Sequence, residues 1–358
     1  MTATGLPEDL YFRIQAIFRG TPLLLLGSGF SCAYDLPNMG ALGEHLANVV
    51  GARLTTEHAK SVWAASLSAV RANLEAGLNT IPNGAQGRDE IVAVLREETA
   101  NLIIERTLAA EKSILAHTRP EQLAPARLLR RLYDGAPQNA DSISVVTTNY
   151  DTLVELFCDL ACIPIDTGFS GFRRRKPRSS PLFQTQYYRS VTVGKKGAEL
   201  EHRPLLTLRL YKPHGSITWN TTESGPIEVT NDYSMATRAI VVPGPSKYQD
   251  ALVNTLFDAM RTEMNGVLNR SSALLCMGFG FNDDHLQGVI KARLDAHMPT
   301  LILTRGLTDN LREVIRRYPH VIVFCKQGTG SECHYDGQVL TSPVPVWQLE
   351  DFLEAFIE

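Results

Sequence analysis

Excess charge of one sign is missing: 35 Lys and Arg stand against 38 Asp and Glu, a net charge of −3 over 358 residues. A dedicated nucleic-acid binder needs a broad basic surface to displace counterions from phosphates. That class is excluded, and any nucleic-acid contact has to be local. Long apolar runs are missing too. Leu23-Leu24-Leu25-Leu26 is far short of the roughly 20 residues that cross a bilayer, and no charged-then-apolar leader precedes it. The expectation is a cytoplasmic protein without a membrane partner. Six cysteines, at 32, 158, 162, 276, 325 and 333, include no Cys-x-x-Cys pair. Most stand in apolar runs, so they read as reduced thiols and no metal is expected. Cys158 and Cys162 fall four apart on a predicted helix and could share a face, but no second pair accompanies them. A Gly-x-x-x-x-Gly-Lys-Ser/Thr loop is absent, so the chain itself carries no recognisable ATPase.

What is there is ordinary globular material, 44% hydrophobic and 20% charged, long enough for a sizeable core. Short β-branched or aliphatic runs end in Gly, Asn, Pro or Thr at 22–26, 143–147, 205–211, 239–242, 273–277, 300–303 and 321–324. Helical patterns separate several of them, which predicts an α/β fold: a doubly wound, Rossmann-like parallel sheet covered on both faces. The gap between the first two runs is helical. Trp63, Leu67, Val70, Leu74 and Leu78 recur at steps of three and four on a helix ended by Gly77 and Pro82-Asn83-Gly84, and a second long helix runs from Asp89 to Leu115. The expected organisation is a helical module, 41–135, inserted into a nucleotide-binding domain made of 1–40 and 136–358. Between 168 and 203 the pattern reads as loop. Arg173-Arg174-Arg175-Lys176-Pro177-Arg178 places five positive charges in six residues, either a solvated, mobile loop or a grip on phosphate, nucleic acid or an acidic partner.

Four segments at strand ends carry the chemistry. Gly27-Ser28-Gly29-Phe30-Ser31 lets backbone N–H groups and a helix start approach a pyrophosphate, with the Ser31 hydroxyl beside them. The dehydrogenase fingerprint is incomplete: Cys32 stands where a third glycine belongs and no acidic residue follows about 20 positions on, which counts against hydride transfer. Thr147-Thr148-Asn149-Tyr150-Asp151 delivers an amide and a carboxylate, or an Asx turn capping a helix over 153–160. In Lys212-Pro213-His214-Gly215-Ser216 an imidazole that titrates near neutrality can take a proton from water or a hydroxyl, and Gly215 lets the backbone pass close to a ligand. Gly278-Phe279-Gly280-Phe281-Asn282-Asp283-Asp284 joins another strand to a helix that Asn282 or Asp283 can cap.

In this order the segments resemble the sirtuin-like family, and Gly278-Phe279-Gly280-Phe281-Asn282-Asp283-Asp284 its zinc-less bacterial NAD-hydrolase branch. The resemblance implies NAD as substrate. Gly27, Ser28, Gly29 and Ser31 would line it, Pro37 in Asp35-Leu36-Pro37-Asn38-Met39 would belong to a covering loop, and Gly278, Gly280, Asn282 and Asp283 would face the ribose and adenine side. Asn149 would order the nicotinamide ribose or the attacking water, Asp151 would engage the carboxamide, and His214 with Gly215 would complete the site. Catalysis is thereby assigned to Asn149 and His214. The implied function is cleavage of NAD to nicotinamide and ADP-ribose in antiphage defence, gated by homo-oligomerisation or by a partner such as a HerA-type ATPase. The rivals are a non-catalytic NAD-sensing or scaffold subunit and a protein deacylase or ADP-ribosyl transferase. Family deacylases carry two cysteine pairs, which this chain lacks.

Overall fold

A computed structural model describes residues 4–82, 84–194, 197–230, 232–235, 237–242 and 251–358; Asn83, at the predicted helix end, lies outside them. In chain order the first strands are β1 (Leu23–Leu26), β2 (Ser142–Thr147), β3 (Ile165–Asp166), β4 (Phe169–Ser170) and β5 (Arg174–Pro177). Next come β6 (Tyr187–Gly194), β7 (Gly197–Pro204), β8 (Thr207–Tyr211), β9 (Gly215–Thr222), β10 (Gly225–Val229) and β11 (Arg238–Ile240). The last are β12 (Leu274–Met277), β13 (Thr300–Thr304), β14 (Ile322–Gln327), β15 (Gly330–Tyr335) and β16 (Gln338–Ser342).

Nine strands form the main sheet in the order β16-β15-β14-β13-β12-β1-β2-β8-β3, parallel from β14 through β3 and closed at the other end by the antiparallel β15 and β16. The chain lays β2, β8 and β3 on one side of β1, then returns to lay β12, β13 and β14 on the other. Strand order therefore reverses between β1 and β12, the position at which open α/β sheets bind ligands beyond their carboxyl edge.

Both faces of the sheet are covered because its strands are apolar on both sides. Leu24, Leu26, Val145 and Leu210 pack under α1 (Glu8–Arg19), α7 (Ala124–Asp134), α8 (Leu153–Leu160) and α12 (Leu349–Phe356) through Leu10, Leu128, Phe157 and Phe352. Leu23, Leu25, Val146 and Cys276 face α9 (Ala251–Arg270), α10 (Asp284–Asp295) and α11 (Asp309–Arg317) through Met264, Ile290 and Leu311. The doubly wound α/β fold expected from the runs is the fold observed.

Between the short α2 (Ser28–Cys32) and α7 lie α3 (Met39–Arg53), α4 (Glu57–Ala72), α5 (Leu74–Asn79) and α6 (Arg88–Leu115). They share a core of their own around Leu46, Val50, Trp63, Val70, Leu78 and Leu95. Where one helix carried the stripe from Trp63 to Leu78, there are two. Asn73 leaves helical geometry at φ −157° and its side chain caps α5 by accepting from the Ala76 N–H at 2.9 Å. Gly77 makes the fold-back possible, since a Cβ there would stand 2.3 Å from the Val70 nitrogen. The carboxyl half of α6 and all of α7 belong to the main core, through Ala110, Ile114 and Leu129.

The segment 168–203 is not a loop. It holds β4 and β5, which join β9, β10 and β11 in a five-stranded sheet, and β6 paired with β7. β5 carries the middle of the basic run, and two charges of the run turn inward: Arg175 pairs with buried Glu228 at 2.5 Å and Arg178, just past the strand, with buried Asp166. The run 239–242 likewise belongs to the smaller sheet, through β11. Charged strands of this kind lack an apolar period; their partners, distant in sequence, neutralise them.

Candidate active site

The parallel register sets the site. Leu26 lies level with Met277 and Thr147, and Val146 with Tyr211, so the loops after β12, β1, β2 and β8 leave the sheet at one edge. Asn149 and His214 each stand three residues beyond the paired Val146 and Tyr211.

The two glycine turns at the reversal point interlock. The N–H groups of Gly27 and Gly29 donate to the carbonyls of Met277 and Gly278, each at 3.0 Å. A Cβ on Gly27 would lie 2.4 Å from the Gly278 oxygen, one on Gly29 2.7 Å from the Gly278 Cα, and one on Gly278 2.4 Å from the Gly29 carbonyl carbon. Gly278 also adopts φ +59°, a left-handed conformation natural to glycine. The absent side chains thus admit backbone from the neighbouring strand end, and half-exposed Ser28 is left between this contact and solvent.

Ser31 links the first turn to the second motif. Its hydroxyl donates to Asp151 Oδ2 at 2.7 Å and accepts from Asn149 Nδ2 at 2.8 Å. Asn149 Nδ2 also donates to the Gly27 carbonyl at 3.0 Å, which fixes the amide orientation and turns Oδ1, an acceptor, away from these partners. Asp151 is buried. Its Oδ1 accepts from the Leu153 N–H at 3.1 Å, so the Asx cap of α8 is present.

His214 Nε2 lies 2.8 Å from Asp283 Oδ2, while Asp283 Oδ1 accepts from the Leu286 N–H at 3.4 Å near the start of α10. Asp283 therefore orients the imidazole and caps a helix together. Gly215 is required by its φ of +85° and because a Cβ would meet the Ala239 carbonyl oxygen at 2.2 Å, an approach between β9 and β11. Gly280 packs beside Thr308, whose hydroxyl donates to its carbonyl at 2.6 Å, and exposed Asn282 accepts from Asn310 Nδ2 at 3.0 Å. Pro37 is half-buried in the connection to α3.

Three supports escape the sequence reading. Lys212, 2% exposed, pairs with Glu155 at 2.6 Å and donates to the Asp151 carbonyl at 2.5 Å, tying the His214 loop to the start of α8. Burial pushes the Glu155 carboxyl up, against the pull of Lys212. Asp283 is the second, as partner of His214. The third is α6: its Ala100 and Ile103 pack on Tyr150 and Ile217, and Glu111 accepts from the Thr152 hydroxyl at 2.7 Å. A lysine placed between a buried strand and a proline is the one local signal that pointed inward. Cys158 and Cys162 do not share a helix face, since α8 ends at Leu160 and Cys162 is exposed beyond it.

Residues 143–313, a stretch that includes Asn149, Asp151, His214 and the Gly278 turn, match the family model of the SIR2-like domain. A solved structure described as a Sir2 homologue mutant in complex with 2′-O-acetyl ADP ribose aligns at 11% identity and a TM-score of 0.38, covering 86% of this chain and 88% of that one. No curated protein matches the chain. No helix among the described residues is long and apolar enough to cross a membrane.

Proposed function

We propose that this sirtuin-like chain is an NAD glycohydrolase, breaking the nicotinamide–ribose bond and passing the ribose to water. The observation that carries the proposal is the arrangement at the sheet edge of His214, held by Asp283, and Asn149, held by its amide nitrogen. In the reaction, nicotinamide leaves with the bonding electrons as a neutral base and C1′ becomes oxocarbenium-like. Water adds to C1′ and gives up one proton, so NAD and water yield nicotinamide, ADP-ribose and a proton. With Nε2 turned to the Asp283 carboxylate, His214 presents Nδ1 as the acceptor for that proton, and Asp283 stabilises the imidazolium that forms. Asn149 Oδ1 accepts from the attacking water or a ribose hydroxyl.

Water is favoured over an acyl peptide because the paired cysteines of the family's deacylases are absent. The biological setting we propose is antiphage defence. An ungated NAD hydrolase drains its own cell, so activity is coupled to assembly or to a partner such as a HerA-type ATPase. The contact of α6 with Tyr150 and Ile217 supplies a route from the helical module to the Asn149 loop.

The test is chromatography of NAD incubated with the purified chain, alone and with candidate partners. Equal amounts of nicotinamide and ADP-ribose support the proposal. NAD bound but unconsumed in every mixture favours the sensing subunit, and nicotinamide released only with an acyl-peptide favours the deacylase; either overturns it.

A further inference from the structure

Two strands beyond β12 in the main sheet, β14 and β15 bring together three side chains of metal-ligating type. Cys325 is paired across the strands with Glu332, and His334 stands two residues further along β15, so all three project from one face. Their ligand atoms lie within 4.8 Å of one another: His334 Nε2 is 2.7 Å from Glu332 Oε1, and Cys325 Sγ is 3.9 Å from the same oxygen. Cys325 is 4% exposed, and His334 Nε2 is buried without a hydrogen bond.

His334 Nε2 lies 2.7 Å from a carboxylate oxygen yet is not angled to hydrogen-bond it, so this buried ring nitrogen has nothing to offset its desolvation. A cation set off the nitrogen–oxygen line, toward the thiol, satisfies the Nε2 lone pair and the carboxylate together. For a tetrahedral zinc ion, bond lengths of about 2.0–2.3 Å place nitrogen and oxygen about 3.3 Å apart and sulfur and oxygen about 3.5 Å apart. Shifts of roughly half an ångström reach both. Gln327 Nε2 donates to the other Glu332 oxygen at 3.1 Å, the kind of outer contact that fixes a ligating carboxylate.

We infer that Cys325, Glu332 and His334 bind one zinc ion, with solvent in the fourth position. A thiolate and an imidazole select zinc over magnesium or calcium, which take oxygen ligands. The inference departs from the expectation of a metal-free chain. Spacing rules look for ligand pairs close along the sequence, whereas this set is assembled across a hairpin register.

The test uses the full chain stripped with a chelator and titrated with cobalt(II), then zinc(II). Expected are one cobalt per chain, a near-ultraviolet thiolate-to-cobalt band, intense visible bands of four-coordinate cobalt, and displacement by zinc. Cys325→Ser abolishes the near-ultraviolet band. His334→Gln and Glu332→Gln each weaken binding by about 100-fold or more, and either serves if the serine variant does not fold. Cys162→Ser, at an exposed thiol remote from the hairpin, leaves titration and spectrum unchanged. No cobalt at one equivalent, or a band indifferent to Cys325→Ser, overturns the inference.

Discussion

His214 Nε2 and Asp283 Oδ2 stand 2.8 Å apart although their strands, β8 and β12, are separated in the sheet by β1 and β2. The contact spans the two intervening strands above the sheet edge. It fixes the ring orientation and, through the cap on Leu286, couples it to the start of α10. A carboxylate so placed keeps the proton on Nε2 and frees Nδ1 to act.

On the proposed mechanism, removing either the His214 or the Asn149 side chain should lower turnover sharply without unfolding the protein. His214→Ala and Asn149→Ala are expected to lower nicotinamide release by about 10²–10⁴-fold under activating conditions, with far-ultraviolet dichroism unchanged. Asp283→Asn should cost less, because the imidazolium loses its counter-charge while the ring keeps a polar neighbour. Near wild-type turnover in a variant removes that residue from the mechanism.

The interlocked glycine turns make a stability prediction. Gly278→Ala adds a Cβ 2.4 Å from the Gly29 backbone at a left-handed φ, and should destabilise by about 3 kcal/mol or more. Gly306→Ala, with no atom within 4 Å of the added Cβ, should be nearly neutral. Denaturant midpoints compare the two, and equal midpoints contradict the close approach of β1 and β12.

His320 supplies a pH-dependent term. Burial, then the neighbouring His297 ring 4.9 Å away, hold its pKa below the ordinary 6.5. The unfolded chain thus binds the proton first, and stability is withdrawn as pH falls through about 6.5 toward the lower folded value. Between about pH 7.5 and about 5.5 the loss of melting temperature should be larger in the wild type than in His320→Gln. Identical losses rule the term out.

The basic strand separates two roles that the sequence ran together. Arg175→Glu breaks a pair with Glu228, whose carboxyl burial already pushes up, and should cost about 3–5 kcal/mol. Arg174→Glu, at an exposed position, should stay within about 0.5 kcal/mol and weaken only a salt-sensitive contact with an acidic partner or nucleic acid. Thermal melts and partner-binding assays at two salt concentrations distinguish the pair. Unchanged binding in Arg174→Glu leaves that strand without an interaction role.

Much of the site was legible because its residues follow buried strands. An apolar run that ends in Gly-Ser-Gly, Thr-Asn-Tyr-Asp or Pro-His-Gly announces both the strand and the loop leaving its carboxyl edge, so the segments holding Asn149, His214 and the glycine turns could be placed there, while the roles expected of them came from the family resemblance. The small sheet and the outer hairpins were not legible. Arg175 in β5 and Glu332 in β15 break the alternation that marks a strand, and what makes them tolerable is a partner 53 residues away for Arg175 and a cross-strand neighbour for Glu332.

The sequence by itself determined which segments are apolar enough to be buried on both faces, hence the parallel layered sheet, and which chemical groups lie just past its strands. Local composition suffices for that, since burial is decided residue by residue. Only the tertiary structure decided what those groups touch: glycines against another glycine turn, Asp151 on Ser31, Asp283 on His214, Lys212 on Glu155, α6 against the Tyr150 loop. Those contacts depend on strand order and register, which place residues far apart in the chain within hydrogen-bonding distance and leave no mark on the sequence around either one.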